Sequence, residues 1–126
     1  MALYVKAETT WLVADSSAAA QTSSSRSSST IDTTTSTLYT EHLISLADSV
    51  TDQAVNFGTV TTAKSARIQS DRQISVKING GDTGVIIGNV ATVGWTLQLD
   101  ATAITSLSLT NASGGAASVK IQLPGV

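Results

Sequence analysis

The sequence predicts an all-β chain: an antiparallel β-sandwich or jelly roll carrying an extended N-terminal arm. Three observations predict it. Ile74-Val76-Ile78, Trp95-Leu97-Leu99 and Val119-Ile121-Leu123 each alternate with polar residues, and a period of two gives a strand one buried and one wet face. Gly, Asn or Asp residues stand close to each run, where they supply the turns of hairpins. Charged residues make up only 13% of the chain, about half the globular average. Ser and Thr, roughly three residues in ten, fill the gap, and uncharged β-branched side chains suit pleated, close-packed surfaces better than helices.

Composition divides the chain near Leu38 into an arm with a Ser/Thr-rich linker, residues 1–37, and a sandwich domain, residues 38–126. In the arm, Leu3-Tyr4-Val5 and Trp11-Leu12-Val13 are two apolar patches separated by polar residues. Either is an edge strand of the home domain or part of an arm that adds a strand to a neighbour's sheet. On the second reading Leu3, Val5, Trp11, Leu12 and Val13 form the assembly interface. Ser16 to Thr30, continued by Thr33 to Thr37, offers little apolar surface to offset the entropy of ordering, and reads as a flexible linker that orders against another subunit.

From Leu38 the strand signals recur at short spacing. Leu38, Thr40, His42, Ile44 and Leu46 share one face of a strand, although Leu43, Leu46, Ala47 and Val50 also match a helical stripe; the strand-rich surroundings and the lack of a clear N-cap favour the strand. Val55 to Val60 is a further run, with Gly58 permitting a bulge or bend. Ala66 and Ile68 lead into a turn at Ser70-Asp71-Arg72, and Ile74 to Ile78 is the first clean alternation. Asn79 to Gly84 breaks it with turn residues. Val85-Ile86-Ile87 reads as a short strand buried on both faces or an inner edge. Asn89 to Gly94 connects it, with Val90 and Val93 as partial anchors, to a strand from Trp95 to Leu99 closed by Asp100. Trp95 belongs to the core by parity. Ile104, Leu107 and Leu109 fall out of a single register, so a kink is expected near Thr105-Ser106. Asn111 to Gly115 is a hairpin connection, and Val119 to Leu123 is the last strand before Pro124.

The same composition excludes several functions. Net charge is −2 with seven scattered Lys and Arg residues, so no basic stripe exists for phosphates or an anionic membrane, and no nucleic-acid or membrane partner is expected. The chain has no cysteine, which removes disulfides, thiolate catalysis and Cys-based metal sites. Lys6 and Glu8 interrupt the N-terminal apolar stretch before it reaches the length of a secretory core, and no run approaches a transmembrane span. Synthesis and folding in a cytoplasm are therefore expected.

Candidate chemistry is sparse, and neither a cofactor nor a metal is expected. His42 is the one histidine, and its place on an apolar strand face suits a hydrogen-bonded core or interface imidazole. Asp48 and Asp52 bracket Ser49-Val50-Thr51, and Asp71, Asp82 and Asp100 sit at expected turns. Acid–base or glycosidic chemistry needs two carboxyls brought close with one pKa raised, whereas turn aspartates bond backbone. Gly80 to Gly84 lacks the Gly-Lys-Ser/Thr ending of a phosphate loop. Asn111-Ala112-Ser113 matches a glycosylation acceptor but reads as a turn. Lys77 and Lys120 project from the wet sides of their strands, which argues against an internal Lys–Asn isopeptide bond. No wet-face array of aromatics marks a sugar platform.

The stretches Asp52 to Val60, Ala66 to Gly80 and Ile104 to Ile121 resemble, in their strand-and-turn cadence, small virion proteins of tailed bacteriophages. Those are β-sandwiches found as capsid decorations, head–tail collar parts or tail-associated proteins, often in trimers or other symmetric assemblies. The resemblance spans residues 50–126 and transfers no functional residue. It implies a non-enzymatic virion structural protein, foremost a capsid decoration protein bridging shell subunits, with a collar or tail component next. Its expected partners are the major capsid protein or other virion proteins and further copies of itself, a trimer among the forms, and its expected location is the virion. A receptor- or glycan-binding module is the alternative from another class. A hydrolase is a third.

Overall fold

The computed structural model describes residues 3–13, 25–81 and 83–126, with the backbone alone described at 3–13, 25–35 and 100–102. Ten strands follow in order: β1 (Leu3–Val13), β2 (Ser25–Ser36), β3 (Leu38–Leu46), β4 (Gln53–Ala54), β5 (Ala63–Ser70), β6 (Ile74–Ile78), β7 (Val85–Ile87), β8 (Thr96–Ile104), β9 (Leu107–Thr110) and β10 (Ala117–Gly125). One sheet has the order β3-β10-β5-β8 and the other β4-β9-β6-β7, with every pairing antiparallel. The two sheets pack face to face as a β-sandwich.

Alternation places the core. In β10, Ala117, Val119, Ile121 and Leu123 are buried while Ser118, Lys120 and Gln122 face outward. The registered neighbours of Ile121 are Ile68 on one side and His42 on the other. From the opposite sheet Ile74, Val76, Leu107 and Leu109 close the same cluster. Segment 38–46 is a strand, not a helix: Thr40, His42, Ile44 and Leu46 turn inward, and Leu43 is 78% exposed. A two-layer core asks only for a period of two, and the helical stripe would have carried Leu43 inside. Along β5, Ala63 and Ala66 are both buried despite their odd spacing; the register shift between Ala63 and Ser65 resets the parity.

The kink expected at Thr105-Ser106 is the point where the chain crosses between sheets, leaving β8 and entering β9. Asn79 fastens that corner. Its Nδ2 donates to the Ala103 carbonyl at 3.0 Å, and its Oδ1 accepts from the Thr105 and Ser106 amides at 2.7 and 3.3 Å. Its own φ is 53°, the left-handed region that Asn tolerates better than most residues.

Several expectations are corrected. Val55 to Val60 is a turn rather than a strand. Gly58 has φ 62°, its amide donates to Asn56 Oδ1 at 2.8 Å, and the Val60 amide closes on the Phe57 carbonyl; an extended run cannot hold these bonds. β8 does not close at Asp100 but continues to Ile104, because β5 offers partners as far as Ala63. Residues 25–36, read as part of a flexible linker, form β2, which pairs antiparallel with β1 from Val13↔Ser25 to Leu3↔Ser36. Thr30-Ile31 and Thr33-Thr34-Thr35 are β-branched, and a facing strand satisfies the backbone that the segment alone leaves to water. Residues 14–24 of that linker, and Asp82 in the expected turn, lie outside the described residues.

Candidate functional site

The most distinctive surface lies where β7 and the start of β8 form one lateral edge of the sandwich. Among the described residues β7 pairs only with β6, and β8 only with β5, so each ends its sheet. Val85, Ile86, Val90, Val93 and Trp95 are exposed there, Ile86 at 67% and Trp95 at 62%. Ile86, Ile87, Gly88, Asn89, Trp95, Thr96 and Leu97 line a groove of about 480 Å3. Soluble monomers rarely leave contiguous apolar patches of more than a few hundred Å2 open to water, and those they do leave are often functional.

The local sequence explains the geometry. Three consecutive apolar residues in a two-layer sandwich cannot all point inward, so Ile87 is buried and Ile86 faces out. Of the two expectations for Val85-Ile86-Ile87, a strand buried on both faces or an inner edge, the first is corrected: β7 ends its sheet, with Val85 and Ile86 exposed. Trp95 is corrected too, although its parity was right. Its carbonyl accepts from the Ser70 amide, extending the β5–β8 ladder inside which Leu97 pairs with Ile68. However, β7 is only three residues long, so the groove stands where a second layer would cover the indole. Val90 and Val93 pair with each other as an isolated bridge and remain about half exposed rather than anchored. Gly94 is required beneath Trp95, because a Cβ there would overlap the Ser70 carbonyl oxygen.

On the opposite lateral edge a second cleft of about 410 Å3 runs between β3 and the segment around β4, lined by His42, Ile44, Val50, Ala54 and Val55 among others. His42 sits half-buried on the inner face of β3, as expected, but its Nε2 is buried without a hydrogen-bond partner. The expectation of a hydrogen-bonded imidazole fails at that atom because its strand neighbours Ile44 and Ile121 are aliphatic.

The carboxylates that could have served chemistry are tied to structure one by one. Asp48 Oδ1 accepts from the Gly114 amide at 2.9 Å, and Asp71 Oδ1 from the Ser118 amide at 2.8 Å. Asp52 pairs with Lys77 at 3.0 Å. The first two are bonds from backbone amides of distant segments and the third is a side-chain ion pair, not the local turn bonds that the sequence suggested. The side chains of Asp82 and Asp100 lie outside the described residues. Among the described residues no three His, Asp or Glu side chains gather as metal ligands would.

Asn111 is the polar centre that sequence reasoning passed over as a turn. It is fully buried. Its Nδ2 donates to the carbonyls of Leu46, Ala47 and Gly115 at 3.0, 3.2 and 2.9 Å, and its Oδ1 accepts from the Ser113 amide and hydroxyl. Arg72 adds bonds to the Ser113 hydroxyl and carbonyl. An Asn closing an alternating run and followed by Gly114-Gly115 was the available signal.

Lys77 and Lys120 face outward, as parity required, in ion pairs with Asp52 and Glu41. On that outer face Tyr39 donates to Glu41 at 2.6 Å, and Gln122 donates to the Tyr39 hydroxyl. Partial burial and the bond to Glu41 raise the Tyr39 pKa, while the bonds from Tyr39 and then Lys120 hold Glu41 below the usual carboxylate range. A depressed carboxyl favours the fold above its unfolded pKa, and that contribution fades as pH falls through the folded value. Tyr39→Phe is therefore expected to move the Glu41 titration, followed by carboxyl-carbon NMR, upward toward the ordinary value. An unmoved midpoint would show that the phenol is not its main support.

All five residues assigned to the arm interface, Leu3, Val5, Trp11, Leu12 and Val13, fall within β1, paired to Ser36, Thr33, Ser27, Arg26 and Ser25 of β2. No protein-family model matches the chain, and neither does any curated protein or solved structure.

Proposed function

We propose that the chain is a non-enzymatic structural protein of a bacteriophage virion, foremost a capsid decoration protein that bridges shell subunits, with a collar or tail position next. The observation that carries this reading is the N-terminal hairpin. β1 and β2 pair with each other and belong to neither sandwich sheet; β2 touches β5 and β10, with Ser36 buried, but the rest of such a two-stranded ribbon is marginal in water unless something packs against it. A neighbouring subunit supplies that packing, with the Trp11-Leu12-Val13 end of β1 as its apolar contact. Repetition over a symmetric shell turns modest contacts into firm attachment. The strand-and-turn cadence of residues 50–126 supports the same class. The test is antibody labelling of particles released by cells that carry the coding sequence. Label at regularly repeated positions on heads or tails is expected; label confined to the particle-free fraction would overturn the reading.

A receptor- or glycan-binding module is a second reading, favoured by one observation: Trp95 stands exposed beside a groove, and an open indole is a stacking surface for a sugar.

A further inference from the structure

We infer that the uncharged face of the β1–β2 ribbon is the surface through which two copies of this chain pair. This rests on the reading of the hairpin as an assembly element and names the subunit that it meets. From Val5↔Thr33 to Val13↔Ser25 the two strands keep a single register. Directly opposed residues of an antiparallel pair share a face, and successive residues alternate. Val5, Ala7, Trp11, Val13 and Ile31 therefore stand on one face, with Thr or Ser at its other positions. Lys6, Glu8, Arg26 and Asp32, the four charged residues of the ribbon, all stand on the other.

Such a division asks for a second layer over the uncharged face, since two strands alone make no core. The connection between β1 and β2, residues 14–24, cannot provide one wherever it lies, because it contains no apolar residue larger than Ala. The sandwich holds the ribbon at its end, through buried Ser36 and the Thr37 amide, which donates to the Gly125 carbonyl at 2.8 Å. A second copy brings the same uncharged face, so no charge is stripped of water without a partner. Two ribbons stacked in this way form a small two-layer sandwich of their own.

Residue sizes fit a twofold arrangement. An axis crossing the strands at Thr9, midway between Val5 and Val13, sets Trp11 of each copy opposite the partner's Ala7, large against small, and Val13 opposite the partner's Val5. The registered stretch is nine residues long on each strand. Two such faces together bury on the order of 1,000 Å2, the floor for a specific interface, so pairing in solution depends on concentration.

Sedimentation equilibrium of the full chain tests this without any particle. The wild-type chain is expected to dimerise with rising concentration. Trp11→Lys and Ile31→Lys, one on each strand of the uncharged face, are each expected to weaken the dimer about tenfold or more, with unchanged far-UV circular dichroism. Thr10→Lys, on the charged face, is expected to leave it intact. The chain has no cysteine, so a single introduced thiol keeps the test decisive if a lysine variant fails to fold. With diamide as oxidant, Thr9→Cys is expected to close an intermolecular disulfide about tenfold or more faster than Thr10→Cys. A monomer at all concentrations, a trimer, equal weakening by Thr10→Lys, or equal cross-linking of the two cysteine variants would overturn the inference. A dimer in solution with no label on particles would leave it standing and overturn the virion reading. Labelled particles with a chain monomeric at all concentrations would do the reverse.

Discussion

Replacing Asn111 by Asp is expected to cost about 4 kcal/mol of stability or more, enough to consume much of the 5–15 kcal/mol that a domain of this size typically holds. The physical cause is a reversal of sign. Asn111 Nδ2 points two protons at three carbonyl oxygens, those of Leu46, Ala47 and Gly115, and Asp would place a carboxylate oxygen against the same three. Asn111→Ala removes the repulsion but leaves the carbonyls and the Ser113 amide short of partners, with an expected cost of about 3 kcal/mol. Both are read from urea denaturation midpoints with the slope unchanged. A loss below about 1 kcal/mol in Asn111→Asp would mean that water reaches this centre. The same burial closes the side chain to any glycosylating enzyme while the protein is folded.

Ile68→Ala is expected to lose about 3–4 kcal/mol, the range for truncating a fully buried aliphatic side chain. Ile68 has no exposed surface, and its two registered neighbours are Ile121 and Leu97. The cavity would open at the middle of the larger sheet, where a strand on each side holds the walls apart. Leu43→Ala, two strands away in the same sheet but on the other face, is expected to change stability by less than about 0.5 kcal/mol. Paired urea denaturation curves of the two variants test whether alternation decides which side chains hold the fold. Equal losses would contradict a two-layer core.

The comparison of these two residues also shows what could be read from the sequence. Alternation located β6, β10 and the inner face of β3, because a half-buried strand writes its two environments into successive residues. It also placed the break at Thr105-Ser106, where Ile104 and Leu107 change parity as the chain changes sheets. Parity says which side a residue faces, but not whether another layer covers that side. Trp95 points the way it should and is nevertheless exposed, because the opposing strand stops after three residues. Likewise the Ser/Thr composition of residues 25–36 speaks of a segment alone, and β1 as its partner lies more than a dozen residues away. The sequence alone gave Asn111 no more than turn character, since its partners Leu46 and Ala47 come from the far end of β3.

Occupancy of the full chain on purified particles, compared with a variant carrying Trp11→Ser, Leu12→Ser and Val13→Ser, bears most directly on the assembly reading. These positions lie in the hairpin, outside both sandwich sheets. The account predicts that the wild-type chain saturates a fixed number of sites per particle, and that the variant, with unchanged circular dichroism, loses about tenfold or more in affinity. Equal occupancy by the two, or no saturable binding by either, would contradict it.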